Sequence, residues 1–252
     1  MGMMLMKIKI FQKGFNYSQD GAGNRLVYHL QGCNMHCPWC SNPESFNENG
    51  TLMIYNSCKE YTIKSIVDEA NQCSALFYDG GGVTLTGGEP TQQYEAVDIL
   101  LKHLKMNGIH TAIETNATHP ELEKLFPHID LLIMDFKHYD NDIHTNVTGV
   151  GNTLIKENIK KAFKLHKNAL IRIPLVKGFN SSLNDIEHFI AFFREYDTQN
   201  VFFELLPYHE YGKIKWKQCG MTYRLDDAFV ESEMIPVYEK LFKENNLSIV
   251  RT

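Results

Sequence analysis

Short apolar runs alternate with segments of helical period along this chain. Runs of four to eight apolar residues bounded by turn signals read as buried strands, and apolar positions recurring at i, i+3, i+4 and i+7 read as helix faces. The pattern predicts strands at 7–11, 26–30, 83–86, 109–114, 129–135, 169–175, 201–206 and 247–250. It predicts helices at 62–73, 94–106, 119–125, 153–166, 183–196 and 226–244. Gly108 is a natural stop for the second helix. Thr118 is a candidate cap for the third, with Pro120 in its first turn. Residues 42–61 carry neither period and are expected to form a loop over the mouth of the fold or a short insertion. A leading strand followed by six βα units argues for a parallel sheet. Six units are too few for an eight-stranded barrel, so the expected fold is α/β, a partial, open (β/α)6 TIM-like barrel. One domain is expected across residues 1–252, a length that such barrels commonly reach as a single unit.

Composition narrows this only slightly. A 43% hydrophobic fraction with 12% aromatics is enough for a sizeable core, and a net charge of −5 gives no reason to expect nucleic acid. No apolar run approaches the ~18 residues that span a bilayer. The opening residues are interrupted by Lys7 and Lys9 and lack a cleavage signal. A cytoplasmic protein away from membranes is therefore expected. Cys58, Cys73 and Cys219 are isolated and read as buried or half-buried thiols, with no disulfides expected.

The other three cysteines change the picture. Cys33, Cys37 and Cys40 stand in a C-x3-C-x2-C spacing with no fourth cysteine close by. Three thiolates on one loop can hold three irons of a [4Fe–4S] cluster and leave the fourth without a protein ligand. An open coordination position marks a reactive metal site rather than a structural one. Half of a zinc knuckle is the competing reading, but it needs a fourth ligand from afar. Unusual residues also gather at predicted strand ends: Gly87-Gly88-Glu89, Glu114-Thr115-Asn116, Asp135-Phe136-Lys137 and Pro207-Tyr208-His209, with Arg172 inside the fifth barrel strand. Barrels place their chemistry at the C-terminal ends of strands. Each piece has a plainer reading as well. Paired glycines mark turns, Asp135 and Lys137 could form a surface ion pair, and His209 could be a satisfied core histidine. Gly80-Gly81-Gly82 precedes a strand and reads as a turn, not a phosphate loop.

Taken together, these motifs resemble the radical S-adenosylmethionine (SAM) enzymes, and within them the glycyl-radical-enzyme activating enzymes. The likeness runs from Asp20-Gly21-Ala22-Gly23-Asn24-Arg25 through the cysteine loop, Gly80 to Pro90, Glu114-Thr115-Asn116, Met134 to Lys137, Thr148-Gly149 and Arg172 to Val176, ending with Leu206 to Trp216. The resemblance implies that Cys33, Cys37 and Cys40 ligate one [4Fe–4S] cluster, whose open iron is chelated by the amino and carboxylate groups of SAM. It implies that Gly87, Gly88 and Glu89 hold the methionine part, with Glu89 near the ammonium. Asp135 and Lys137 would contact the ribose and the carboxylate, His209 the nucleoside, and Trp39 would lie beside cluster and adenine. By the same resemblance, Thr115 and Asp135 lie where a monovalent cation can bind in this family. Asp20 and Arg172 would face a partner's peptide loop. The implied activity is reductive cleavage of SAM and removal of a glycine Cα hydrogen from a glycyl radical enzyme. A flavodoxin or ferredoxin would donate electrons, under anaerobic conditions, and the chain would act as a monomer. The eight-cysteine insert of many relatives is missing, which suggests a single cluster; Ala22 and Asn24 depart from the usual Pro and Ile. Alternatives are a radical SAM enzyme acting on a small molecule and a zinc-bound interaction protein.

Overall fold

The computed structural model describes residues 2–46 and 58–251. Its strands are β1 (Lys7–Tyr17), β2 (Asn24–Leu30), β3 (Lys59–Thr62), β4 (Gly82–Gly87), β5 (Thr111–Thr115), β6 (Leu131–Asp135), β7 (Ala169–Leu175), β8 (Val201–Pro207) and β9 (Ser248–Ile249). They form one sheet in the order β3-β1-β2-β4-β5-β6-β7-β8-β9. Pairing is parallel from β2 through β9, while β1 is antiparallel to both β2 and β3. Six parallel strands, β2 and β4 to β8, are the expected open partial barrel.

Among the described residues, seven α-helices accompany the strands: α1 (Ile63–Gln72), α2 (Tyr94–Met106), α3 (Asn141–Thr148), α4 (Thr153–Leu165), α5 (Leu183–Phe193), α6 (Lys213–Gln218) and α7 (Met234–Glu244). Thr62 caps α1 by accepting a hydrogen bond from the Ser65 amide. Ser182 and Asp185 close a reciprocal capping box on α5. The core lies between sheet and helices, where Ile171, Ile173, Phe203 and Leu205 of the strands meet Ile186, Phe189, Phe193 and Phe242. Strand side chains alternate, so the intervening Arg172 and Glu204 project into the barrel.

Several elements differ from expectation. The leading strand runs on to Tyr17 because it pairs with β2 as a hairpin. Periodicity did not mark β3, α3 or α6; β3 falls in the stretch expected to be irregular, of which 47–57 lie outside the described residues. The helix expected at 119–125 is instead a 3-10 turn, Leu122–His128. Thr118 does not cap it: its hydroxyl donates to Asn116 Oδ1 at 2.6 Å and accepts from Asn34 Nδ2 at 2.8 Å. The last helix begins at Met234, not at 226, because Asp227 takes a left-handed φ of 58° and the Ala228 carbonyl accepts from the Lys177 amide.

Candidate active site

The loop after β2 carries the three cysteines and is tied down from three sides. Its start lies against the end of β4, where the Gly88 amide donates to Leu30 O at 2.9 Å and the Glu89 amide to Gly32 O at 2.7 Å. A Cβ on Gly88 would stand 2.2 Å from Gly32 O, and Gly87 has φ +124°, so this approach requires glycine. The middle is held by α3 and β5: the His36 amide donates to Thr148 O at 2.9 Å, and Asn116 Nδ2 to Asn34 Oδ1 at 2.8 Å. The end rests on α6, whose Trp216 Nε1 donates to Cys40 O at 2.9 Å and whose Lys215 Nζ donates to Glu44 Oε1 at 2.7 Å.

This loop closes one side of a cavity of about 280 Å³ at the C-terminal ends of the barrel strands. Cys33, Cys37 and Cys40 line it, together with Trp39, Gly87, Gly88, Thr115, Asp135, Lys137 and His209. Lys137 Nζ donates to Asp135 Oδ2 at 2.5 Å with the lysine buried, so the pair is not a surface ion pair. Burial lowers the Lys137 pKa, but the Asp135 carboxylate and the nearby thiols outweigh it, and the net shift is upward. Trp39 packs on Phe179 with ring centroids 4.9 Å apart, and His209 stacks on Tyr211 at 4.2 Å. Thr115 donates to Glu89 Oε1 at 2.7 Å.

Glu89 is placed differently from the expectation that it meets an ammonium. It is fully buried and is not on the cavity wall. Oε1 accepts from the Thr91 amide at 2.9 Å and the Thr91 and Thr115 hydroxyls, and Oε2 from the Asn116 amide at 2.6 Å. Here it joins the end of β4 to the end of β5. Asp20 and Arg172 are also off the wall; Arg172 lies one contact away, in the barrel interior. Glu114, which does line the cavity, accepts from Arg172 Nη1 at 2.6 Å and from the Thr86 hydroxyl at 2.8 Å. Arg172 Nε donates to Glu204 Oε2 at 2.7 Å, and Nη2 donates to Gln19 O at 2.5 Å. Burial pushes the Asp20 carboxyl pKa up, and the charge of Glu114 adds to it. Burial raises Glu114 too, but Arg172 and Thr86 more than reverse that, leaving it low. The interior contacts of Glu114 and the role of Glu204 had no local sequence signal beyond Glu114's position at a strand end.

All six cysteines are free, and Cys58, Cys73 and Cys219 lie outside the cavity lining. Burial raises the thiol pKa of Cys33 to about 12 and of Cys37 to about 11, and pushes Cys40 upward as well. Among the described residues no three His, Cys, Asp or Glu side chains converge on a point that could hold a metal ion. A cluster that takes each thiolate on a separate iron needs no such convergence, so the donor set fits a [4Fe–4S] group.

A partial barrel with three loop thiols facing strand-end polar groups defines a radical SAM enzyme. The Radical SAM superfamily profile matches residues 27–193, and the chain belongs to that superfamily. Within it, the chain is a homologue of pyruvate formate-lyase-activating enzymes: it is 35% identical over 218 residues to that of Staphylococcus aureus strain USA300, covering 83% of this chain and 84% of the relative. A domain of pyruvate-formate lyase-activating enzyme from Bacteroides vulgatus ATCC 8482 superposes with a TM-score of 0.56 at 26% identity, covering 68% of this chain and 98% of the domain. SuiB of Streptococcus suis shares the fold, with a TM-score of 0.66 at 18% identity over 89% of this chain and 48% of that one. Membership implies SAM and a [4Fe–4S] cluster as cofactors. Among the described residues no helix is long and apolar enough to cross a membrane.

Proposed function

We propose that this chain is an activase that removes a hydrogen atom from a glycine Cα of a partner glycyl radical enzyme. The observation that carries it is one cavity lined both by the loop thiols and by Gly87, Gly88, Asp135, Lys137 and His209, in a chain matched along most of an activating enzyme. Cys33, Cys37 and Cys40 would hold a single cluster. The main chain at Gly87 and Gly88 would lie against the methionine part of SAM, and Lys137, held by Asp135, would meet its carboxylate. Trp39 and His209 would flank the nucleoside. When bound, cluster and SAM supply one-electron chemistry able to take a hydrogen atom from carbon. For that reactivity to be kept from solvent, the side chains around the bound groups would have to exclude water. Overall, one electron from a flavodoxin or ferredoxin and one hydrogen atom from the glycine are consumed with SAM, giving methionine, 5′-deoxyadenosine and a protein radical.

The test mixes anaerobically reduced, iron-reconstituted protein with SAM and a candidate lyase. A glycyl-type doublet in electron spin resonance is expected. Release of 5′-deoxyadenosine with a modified metabolite and no protein radical would replace this reading with small-molecule chemistry.

A further inference from the structure

The end of the cysteine loop is gripped by α6 on either side of one peptide N–H that faces a sulfur. Trp216 Nε1 donates to Cys40 O at 2.9 Å, and Lys215 Nζ donates to Asn42 Oδ1 at 2.8 Å. Between those two points the Asn42 amide donates to Cys40 Sγ at 3.4 Å. Its counterpart at the start of the loop, the Met35 amide on Cys33 Sγ at 3.4 Å, is set in the core with Met35 itself. Asn42 is only half-buried and lines the cavity, so its orientation depends on what holds its side chain. The same ammonium donates to Glu44 Oε1 at 2.7 Å, with the two side chains 31% and 9% exposed. A positive and a negative charge thus stand together beside the residue whose amide serves Cys40. With the carboxylate buried, salt and water screen them less than they screen a surface pair.

We propose that Lys215 is a positioning residue for the cluster: by holding Asn42 it keeps that amide on Cys40 Sγ, and with Glu44 it sets the reduction potential at which the cluster accepts its electron. This inference rests on the cluster reading above, not on the identity of the substrate. Hydrogen bonds to the ligating sulfurs and net charge are among the levers that fix the potential of an iron–sulfur group. Reduction adds a negative charge, so a donor on sulfur and a nearby ammonium favour the reduced form, and a carboxylate disfavours it. Removing the Lys215 ammonium therefore lowers the potential in two ways, by loosening Asn42 and by taking a positive charge from beside Glu44. Removing the Glu44 charge raises it, since the lysine and its bond to Asn42 stay. A residue that merely braced the loop would give no such opposition of sign.

The test titrates the cluster of anaerobic, reconstituted holoenzyme against mediators of known potential, without SAM, and reads the reduced form by electron spin resonance. Iron and sulfide are counted for wild type and for every variant. Lys215→Met should keep its iron yet hold about tenfold less reduced cluster at a fixed potential, a midpoint ~59 mV lower for one electron. Glu44→Gln should shift the midpoint upward by a similar factor. Lys215→Arg, which keeps the charge and the donors, should stay near wild type. Should Lys215→Met lose its cluster, Glu44→Gln, which leaves the lysine in place, decides by the sign of its shift. Met and Gln variants that move the same way, or that leave the midpoint where it was, overturn the inference and leave the cluster reading standing. Wild-type protein that reconstitutes without iron and sulfide overturns both.

Discussion

Cys37 is the most deeply buried of the three loop thiols, 7% exposed, and burial raises its pKa to about 11. Water contributes little to holding it ionised, so its thiolate depends on the iron that it would ligate. Cys37→Ala should therefore abolish cluster assembly, read as iron and sulfide content and loss of the brown colour; a full cluster in the variant would remove Cys37 from the ligand set. Lys137→Ala should keep the colour and weaken SAM binding by roughly tenfold or more, the cost of one charge-assisted hydrogen bond, as measured by calorimetry under anoxia. Two histidines set an acid limit on the fold. Burial pushes His29 and His144 from 6.5 down to about 4. Both stay neutral in the native state while the unfolded chain protonates them near 6.5. Between those values the unfolded state binds more protons, so stability falls as pH drops from about 6.5 to about 4. Glu114, held low by Arg172 against the effect of burial, adds a loss of the same sign below the ordinary carboxylate range. Denaturant midpoints at pH 7 and pH 5 should show the decline; a flat profile would contradict the assigned environments.

Among the elements, α6 matters more than its six residues suggest. Its N-cap is Gly212, where a Cβ would stand 2.5 Å from Cys40 O, and Trp216 then binds that same carbonyl. Trp216→Ala removes a buried ring and the donor to the loop together. A loss of about 3–5 kcal/mol is expected on thermal or denaturant unfolding, with faster release of iron to a chelator. If iron release matches wild type, α6 does not brace the cluster loop. Gly88→Ala tests the opposite side of the loop. The added methyl would overlap Gly32 O, so the two strand ends must separate, and the variant should fail to retain cluster even where far-UV circular dichroism shows the barrel intact.

For the whole molecule, the strand–helix alternation was legible because each period is local: among the described residues, apolar runs marked eight of the nine strands and both ends of α2. The short or weakly patterned elements, β3, α3 and α6, were not legible, because tertiary contacts rather than their own periodicity stabilise them. The site was half legible. The cysteine spacing, the double glycine and the Asp135–Lys137 pair lie within a few residues of each other in sequence, and all of them do face one cavity. Glu89 and Arg172 carried the right chemistry but not their surroundings, for nothing local says that four donors will saturate one carboxylate or that two carboxylates will grip one guanidinium. Reconstituted protein should hold about four irons per chain, as one [4Fe–4S] cluster requires; eight would point to a second cluster. By itself the sequence determined the order of strands and helices and supplied three thiols on one loop, since both are properties of neighbours along the chain. The tertiary structure alone decided that Glu204 and Glu114 meet at Arg172 and that Gln19 lies across them, because those meetings depend on register between strands and on the closing of the sheet, which no local pattern encodes.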